Sequence, residues 1–149
     1  MKKVYQLSFT IKFGLVVVTI ISWYSMFLNI IKDFKGIWLV FSSLIVTYVT
    51  LNAFYQKIIL DENGIKAKVI GYAWQKYLNW GEVRTIICEE YFGVPIYILV
   101  PQRGRAMYLS GFKNIDQLLL DIYNFAPHVI LHPNVKKRIE KAKRKEQNS

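Results

Sequence analysis

Phe13 to Ile31 reads FGLVVVTIISWYSMFLNII and Gly36 to Phe54 reads GIWLVFSSLIVTYVTLNAF, nineteen residues each and neither holding a charge. Such a run predicts a transmembrane helix, because about 20 residues rising ~1.5 Å each cross a hydrocarbon core ~30 Å thick. Only Lys32-Asp33-Phe34-Lys35 separates the two runs, so they are expected to turn back on each other as a hairpin. The expected organisation is a lead-in over 1–12, helices over 13–31 and 36–54 joined by the loop 32–35, a domain over 55–129 and a basic tail over 130–149.

Charge gives the hairpin a direction. The chain has 149 residues and a net charge of +10, with three basic residues before the hairpin, two in its loop and fifteen after it. The positive-inside bias predicts a multi-pass protein of the cell membrane with both termini cytoplasmic and the KDFK loop outside. A single cysteine, Cys88, excludes an internal disulfide and agrees with a reducing compartment. It reads as a small apolar strand residue. The first apolar run is too long for a cleavable signal peptide, and no small-x-small site follows it.

Within the expected spans, Thr19, Ser22, Met26 and Asn29 recur at intervals of three and four and share one helix face. The second run offers Ser42, Ser43, Thr47 and Thr50, and a turn centred on the KDFK loop sets Ser25 and Ser42 at similar depth. Small and hydroxylated residues let helices approach closely in lipid. Neither run holds Asp, Glu, Lys, Arg or His, the usual marks of a transport route, so the spans read as an anchor. Trp38 and Tyr55 fit opposite membrane interfaces.

After Phe54 the pattern becomes β-like. KIIL (57–60), the turn Asp61-Glu62-Asn63-Gly64 and IKAKVI (65–70) read as a hairpin, Asn-Gly being suited to the positive φ of tight turns. Strands are expected over 74–80, 83–91, 94–100 and 106–110, with Gln102-Arg103-Gly104-Arg105 turning between the last two. The lead-in Met1 to Lys12 is compatible with an interfacial segment or with an extra edge strand. In Lys113 to Phe125 the period changes: Ile115, Leu118, Leu119, Ile122 and Phe125 form a helical stripe, with Asn114 as N-cap and Pro127 beyond its end. Strands closed by one amphipathic helix make an α+β domain, an antiparallel sandwich or half-barrel.

Candidate sites are few. His128 and His132 have the i, i+4 spacing of helical metal ligands, but Pro127 and Pro133 flank them and the reading is a loop. Glu89 and Glu90 are adjacent on a strand, point to opposite faces and cannot work as a carboxylate pair. No Gly-rich phosphate cradle, nucleophile elbow or metal-ligand cluster is recognisable, which argues against an enzyme and against a cofactor or metal. Arg103 and Arg105 put two guanidinium groups on a turn, able to contact a headgroup or an acidic partner. Lys136, Lys137, Arg138, Lys141, Lys143, Arg144 and Lys145 carry the tail, whose segment 136–146 holds half the net charge of the chain. Such a tail, helical or open, suits an anionic leaflet. Nucleic acid is not expected, since no aromatics interleave these charges.

The chain also resembles small bacterial membrane proteins in which two transmembrane helices precede a pleckstrin-homology-like (PH-like) domain. IILDENGIKAK (58–68), NWGEV (79–83), IYILV (96–100), MYLS (107–110) and IDQLLLDIYNFAPHV (115–129) carry the likeness. The resemblance implies two antiparallel sheets capped by a helix and a membrane-anchored, non-catalytic binding or scaffold module with a protein partner. The alternative it implies is self-immunity against a membrane-active peptide. Phosphoinositide-binding relatives use basic residues in the first strand–strand loop, whereas Asp61-Glu62-Asn63 is acidic here, so that site does not carry over.

Overall fold

The computed structural model describes residues 2–32, 37–68 and 76–147. Among them lie four helices and two four-stranded sheets, an α+β arrangement. In chain order these are β1 (Lys3–Gln6), α1 (Phe9–Lys32), α2 (Ile37–Tyr55), β2 (Lys57–Leu60), β3 (Gly64–Lys68), β4 (Lys76–Asn79), β5 (Val83–Tyr91), β6 (Val94–Pro101), β7 (Met107–Tyr108), α3 (Ile115–Phe125), β8 (Ile130–Leu131) and α4 (Pro133–Gln147). The KDFK loop from Asp33 onward, the last two residues of the strand expected over 65–70 and the first two of that over 74–80 lie outside the described residues.

The first sheet has the order β1-β2-β3-β4 and is antiparallel throughout. Strand β1 precedes the two long helices and β2 follows them, yet the two pair directly, with Gln6 opposite Lys57 and Lys3 opposite Leu60. The lead-in is therefore an edge strand, and the helices are an insertion at one end of the sheet. Only Leu7 and Ser8 separate β1 from α1, and only Gln56 separates α2 from β2. Helix α1 begins at Phe9, earlier than the uncharged run suggested. The Ser8 carbonyl accepts the Lys12 amide at 3.2 Å, and the Lys12 ammonium sits 5.5 Å from the centre of the Phe54 ring, so this charge is accommodated in the first turn.

Both inserted helices are long and apolar enough to cross a membrane, with mean hydropathy 1.8 over Phe9–Asn29 and 1.4 over Trp38–Tyr55. They pack antiparallel through hydroxyl groups. Thr19 Oγ1 and Thr50 Oγ1 are 2.7 Å apart, Ser22 Oγ and Ser43 Oγ are 2.9 Å apart, and the Trp23 indole N–H donates to Thr47 Oγ1 at 2.8 Å. Ser43 is fully buried while Ser42 faces outward and donates to its own helix at the Leu39 carbonyl. Of the serines that the sequence set at similar depth, Ser42 is turned out of the seam, and the hydroxyl pair that joins the helices is Ser22 with Ser43. Away from this seam the side chains are apolar and exposed, among them Ile20, Phe27, Trp38 and Ile45.

The second sheet has the order β7-β6-β5-β8, with β8 parallel to β5 and the other pairs antiparallel. One core joins the sheets to both C-terminal helices: Ile58, Leu60 and Ile65 from the first sheet, Ile86 and Leu99 from the second, Leu118, Leu119 and Ile122 from α3, and Val135, Ile139 and Ala142 from α4. Alternation in the strands and three-to-four spacing in the helices aim these side chains inward. Trp80, in a short 3-10 turn between β4 and β5, is stacked on Phe125 at 5.3 Å and donates its indole N–H to the Asp61 carbonyl at 2.8 Å.

Two turns differ in mechanism from the sequence expectation. Neither Asn63 nor Gly64 has a positive φ; instead Asp61 Oδ1 accepts the Asn63 and Gly64 amides at 3.0 and 2.9 Å. Glycine is required at 64 for space, because a Cβ there would sit 2.2 Å from the Leu78 carbonyl oxygen. Asn114 does occupy the N-cap of α3, but in the left-handed region at φ 57° and with no side-chain cap, so its aptitude for that backbone is what selects it.

Candidate functional site

The basic segment after Val129 belongs to the domain, because three of its apolar residues reach the core. Val135, Ile139 and Ala142 are buried at i, i+4 and i+7, which fixes the roll of α4. At 100° per residue the opposite face is then centred on Lys137 and Arg144, with Lys141 beside them and Glu140 within the ridge. Lys136, Lys137, Lys141, Lys143, Arg144 and Lys145 are all exposed.

Arg138 is different. Its guanidinium donates to Asp116 Oδ1 at 2.8 Å and lies 5.3 Å from the centre of the Tyr97 ring. Burial pushes the Tyr97 hydroxyl up from its ordinary value, and the Arg138 charge pulls partly the other way. Arg138 thus ties α4 to α3 and β6 and is spent on structure. Lys143 lies 4.7 Å from the centre of the Tyr123 ring, which holds its stem along α3 while the residue stays exposed.

Arg103 and Arg105 are exposed in the loop after β6, where Gly104 takes a φ of 89°. That loop adjoins the turn before β5, the Gln102 amide donating to the Glu82 carbonyl at 2.7 Å. Helix α4 flanks the other half of β6, where Lys137 and Arg138 line a cleft with Cys88, Glu90, Pro95 and Tyr97. The two sequence-derived basic groups therefore do not converge on one site.

The remaining candidates settle into structural places. Glu89 accepts the Tyr91 hydroxyl at 2.8 Å and Glu90 lines the α4 cleft, as adjacent residues on β5 must diverge. His128 lies in a turn and His132 immediately before α4, with β8 between them, so their spacing is not helical. Among the described residues no three His, Cys, Asp or Glu side chains converge as metal ligands. Cys88 is a free, half-buried thiol on β5.

A groove of about 700 Å³ connects this surface to the foot of the helical insertion. Ser8, Lys113, Asn114, Asp116, Gln117, Lys145 and Glu146 line it, so the C-terminal end of α4 reaches the residue that precedes α1. Sequence reading missed the lysines at that foot. Lys57 follows α2 by two residues and stands directly opposite Lys68 on β3, while Lys12 lies on the first turn of α1. The only signal for them was that Lys57 closes the second apolar run; their grouping depends on strand register, which needs the fold. The arrangement offers cationic ammonium and guanidinium groups to an anion.

No protein-family model, curated protein or solved structure matches the chain.

Proposed function

We propose that the chain is a membrane-anchored, non-catalytic binding module: α1 and α2 cross the cell membrane, and a PH-like domain lies against its cytoplasmic face. The pairing of β1 with β2 carries this reading. Because the sheet closes across both ends of the insertion, the two helices leave the domain together and the domain stays within two residues of them. Were the helices inserted in a bilayer, both termini would lie on one side, in agreement with the charge bias. The exposed ridge of Lys137, Lys141 and Arg144 suits an anionic leaflet or an acidic face of a protein partner.

Fractionation of cells expressing the full chain tests the anchor. The protein is expected in the membrane pellet after an alkaline carbonate wash, protected from protease in intact cells and cleaved within the domain in inverted vesicles. Release by carbonate would overturn the anchor, and cleavage from outside the cell would overturn the sidedness. For the binding role, a photoreactive residue at position 141 is expected to yield a discrete adduct, to lipid or protein, that the charge reversal Lys137→Glu with Arg144→Glu abolishes. No adduct from either chain would count against the ridge.

A further inference from the structure

We infer that the foot of the helical insertion holds the phosphate of an anionic lipid headgroup between Lys57 and Lys68. The inference rests on the reading that α1 and α2 cross a bilayer, and it assigns a site separate from the ridge of α4.

Strand register brings the two residues together. Lys57 and Lys68 are direct cross-strand partners, and Gln6 on β1 is the partner of Lys57 on its other side. Residues paired in this way point to the same face of the sheet. The neighbouring row, Ile58 opposite Ala67 and Tyr5, points inward, with Ile58 in the core. Gln6, Lys57 and Lys68 therefore form one outward-facing polar row across three strands. Gln6 and Lys68 are exposed and Lys57 is half-buried.

Like charges set directly opposite each other destabilise a sheet. Here two ammonium groups face each other, and among the described residues neither has a hydrogen-bond or ion-pair partner. Ile59 and Lys66, the next outward pair, add a third lysine on the same face one step further from the helices. An anion between Lys57 and Lys68 turns this repulsion into two charge-assisted contacts, with the Gln6 amide as a further donor. The level of the row identifies the anion's source. Lys57 lies two residues beyond Tyr55, the last residue of α2, so the row sits where an apolar helix would leave the hydrocarbon and the headgroup phosphates begin. Lys12, placed over the ring of Phe54, marks the same level on α1.

The test uses the full-length protein purified in a neutral detergent, with its melting midpoint read on adding phosphatidylglycerol, phosphatidylcholine or inorganic phosphate. Phosphatidylglycerol is expected to raise the midpoint by roughly 5 °C, and the other two additions to leave it unchanged. Lys57→Gln with Lys68→Gln is expected to remove that shift. Lys68→Glu, which creates an ion pair with Lys57, is expected to raise the lipid-free midpoint while abolishing the response, so loss of the response cannot be ascribed to misfolding. A response that survives in both foot variants but vanishes in Lys137→Gln/Lys141→Gln/Arg144→Gln overturns the foot site and leaves the α4 ridge standing. Absence of any response in the unmodified protein overturns the site, and an equal response to inorganic phosphate overturns the lipid source. Carbonate release in the fractionation experiment is a separate failure, of the anchor itself.

Discussion

The Lys3 ammonium lies 2.7 Å from Asp121 Oδ1, tying the strand before the helical insertion to a helix that begins sixty residues after it. Asp121 is 2% exposed, and its second oxygen accepts the Tyr5 hydroxyl while Gln117 Nε2 donates to Oδ1 at 3.2 Å. A buried carboxylate is tolerated when its lone pairs are satisfied, and here three donors converge on it. Removing the acceptor strands them. Asp121→Ala is expected to cost about 2–4 kcal/mol in denaturant unfolding and to expose β1 to protease. Unchanged stability would mean that β1 is held by its sheet pairing alone.

Tyr5 makes the same clamp sensitive to alkali. Burial, then the hydrogen bond and charge of Asp121, push its hydroxyl well above the ordinary tyrosine value. The folded state thus favours the neutral phenol. Its contribution is complete below the unfolded value near 10 and is lost as pH rises above that toward the folded value. Tyr5→Phe is expected to lower stability by about 1 kcal/mol near neutrality and to flatten its fall above pH ~10, as measured by unfolding at a series of pH values.

Trp80 carries the turn between the sheets. Its stacking on Phe125 and its bond to the Asp61 carbonyl link the β2–β3 turn, the β4–β5 turn and α3 at one point. Trp80→Phe keeps most of the apolar contact and loses the hydrogen bond, an expected cost of about 1 kcal/mol; Trp80→Ala leaves a cavity and is expected to cost about 3–5 kcal/mol. The difference between the two variants, read by thermal unfolding, measures stacking against hydrogen bonding.

The two apolar helices, the β period after Lys57 and the amphipathic stripe of α3 were legible in the sequence, because each is a local pattern. Five lysines in the ten residues 136–145 hid the place of α4. Val135, Ile139 and Ala142 are too few to outweigh them in a hydropathy reading, yet they are enough to seat the helix once α3 offers a surface. The partner of β1 was not legible for a different reason. Its pairing with β2 spans the whole insertion, and no local rule sees across 50 residues. The foot lysines share that cause. Lys57 and Lys68 are ordinary alternating residues until register sets them face to face.

The hydroxyl seam between α1 and α2 specifies which residues meet. Ser22 Oγ lies 2.9 Å from Ser43 Oγ, whereas Ser42 is turned outward onto its own helix. In a chain with Cys88→Ser, the pair Ser22→Cys/Ser43→Cys is expected to form a disulfide under mild oxidation and Ser25→Cys/Ser42→Cys to remain reduced, as read by gel shift. The reverse outcome would place the helices one face round from the seam described. Single Ser43→Ala substitution is expected to cost only about 0.6 kcal/mol, the usual worth of such a bond between helices in lipid.

The directness of the β1–β2 pairing makes the domain separable from its helices. Gln6 and Lys57 are opposite each other, so residues 9–55 can be replaced by a short Gly-Ser link from Ser8 to Gln56 without stretching the sheet. Retaining Leu7 and Ser8 matters, since Leu7 bridges to Phe112 and the Ser8 amide donates to the Gly111 carbonyl at 2.8 Å. The linked chain is expected to be soluble and to unfold cooperatively. A fragment that starts at Tyr55 lacks β1, leaving β2 as a bare edge and Asp121 without Lys3 and Tyr5. It is expected to be less stable than the linked chain by more than 3 kcal/mol, or to aggregate through the open edge. Circular dichroism with urea titration of the two chains decides it: equal midpoints would show that β1 adds nothing to the sheet it completes.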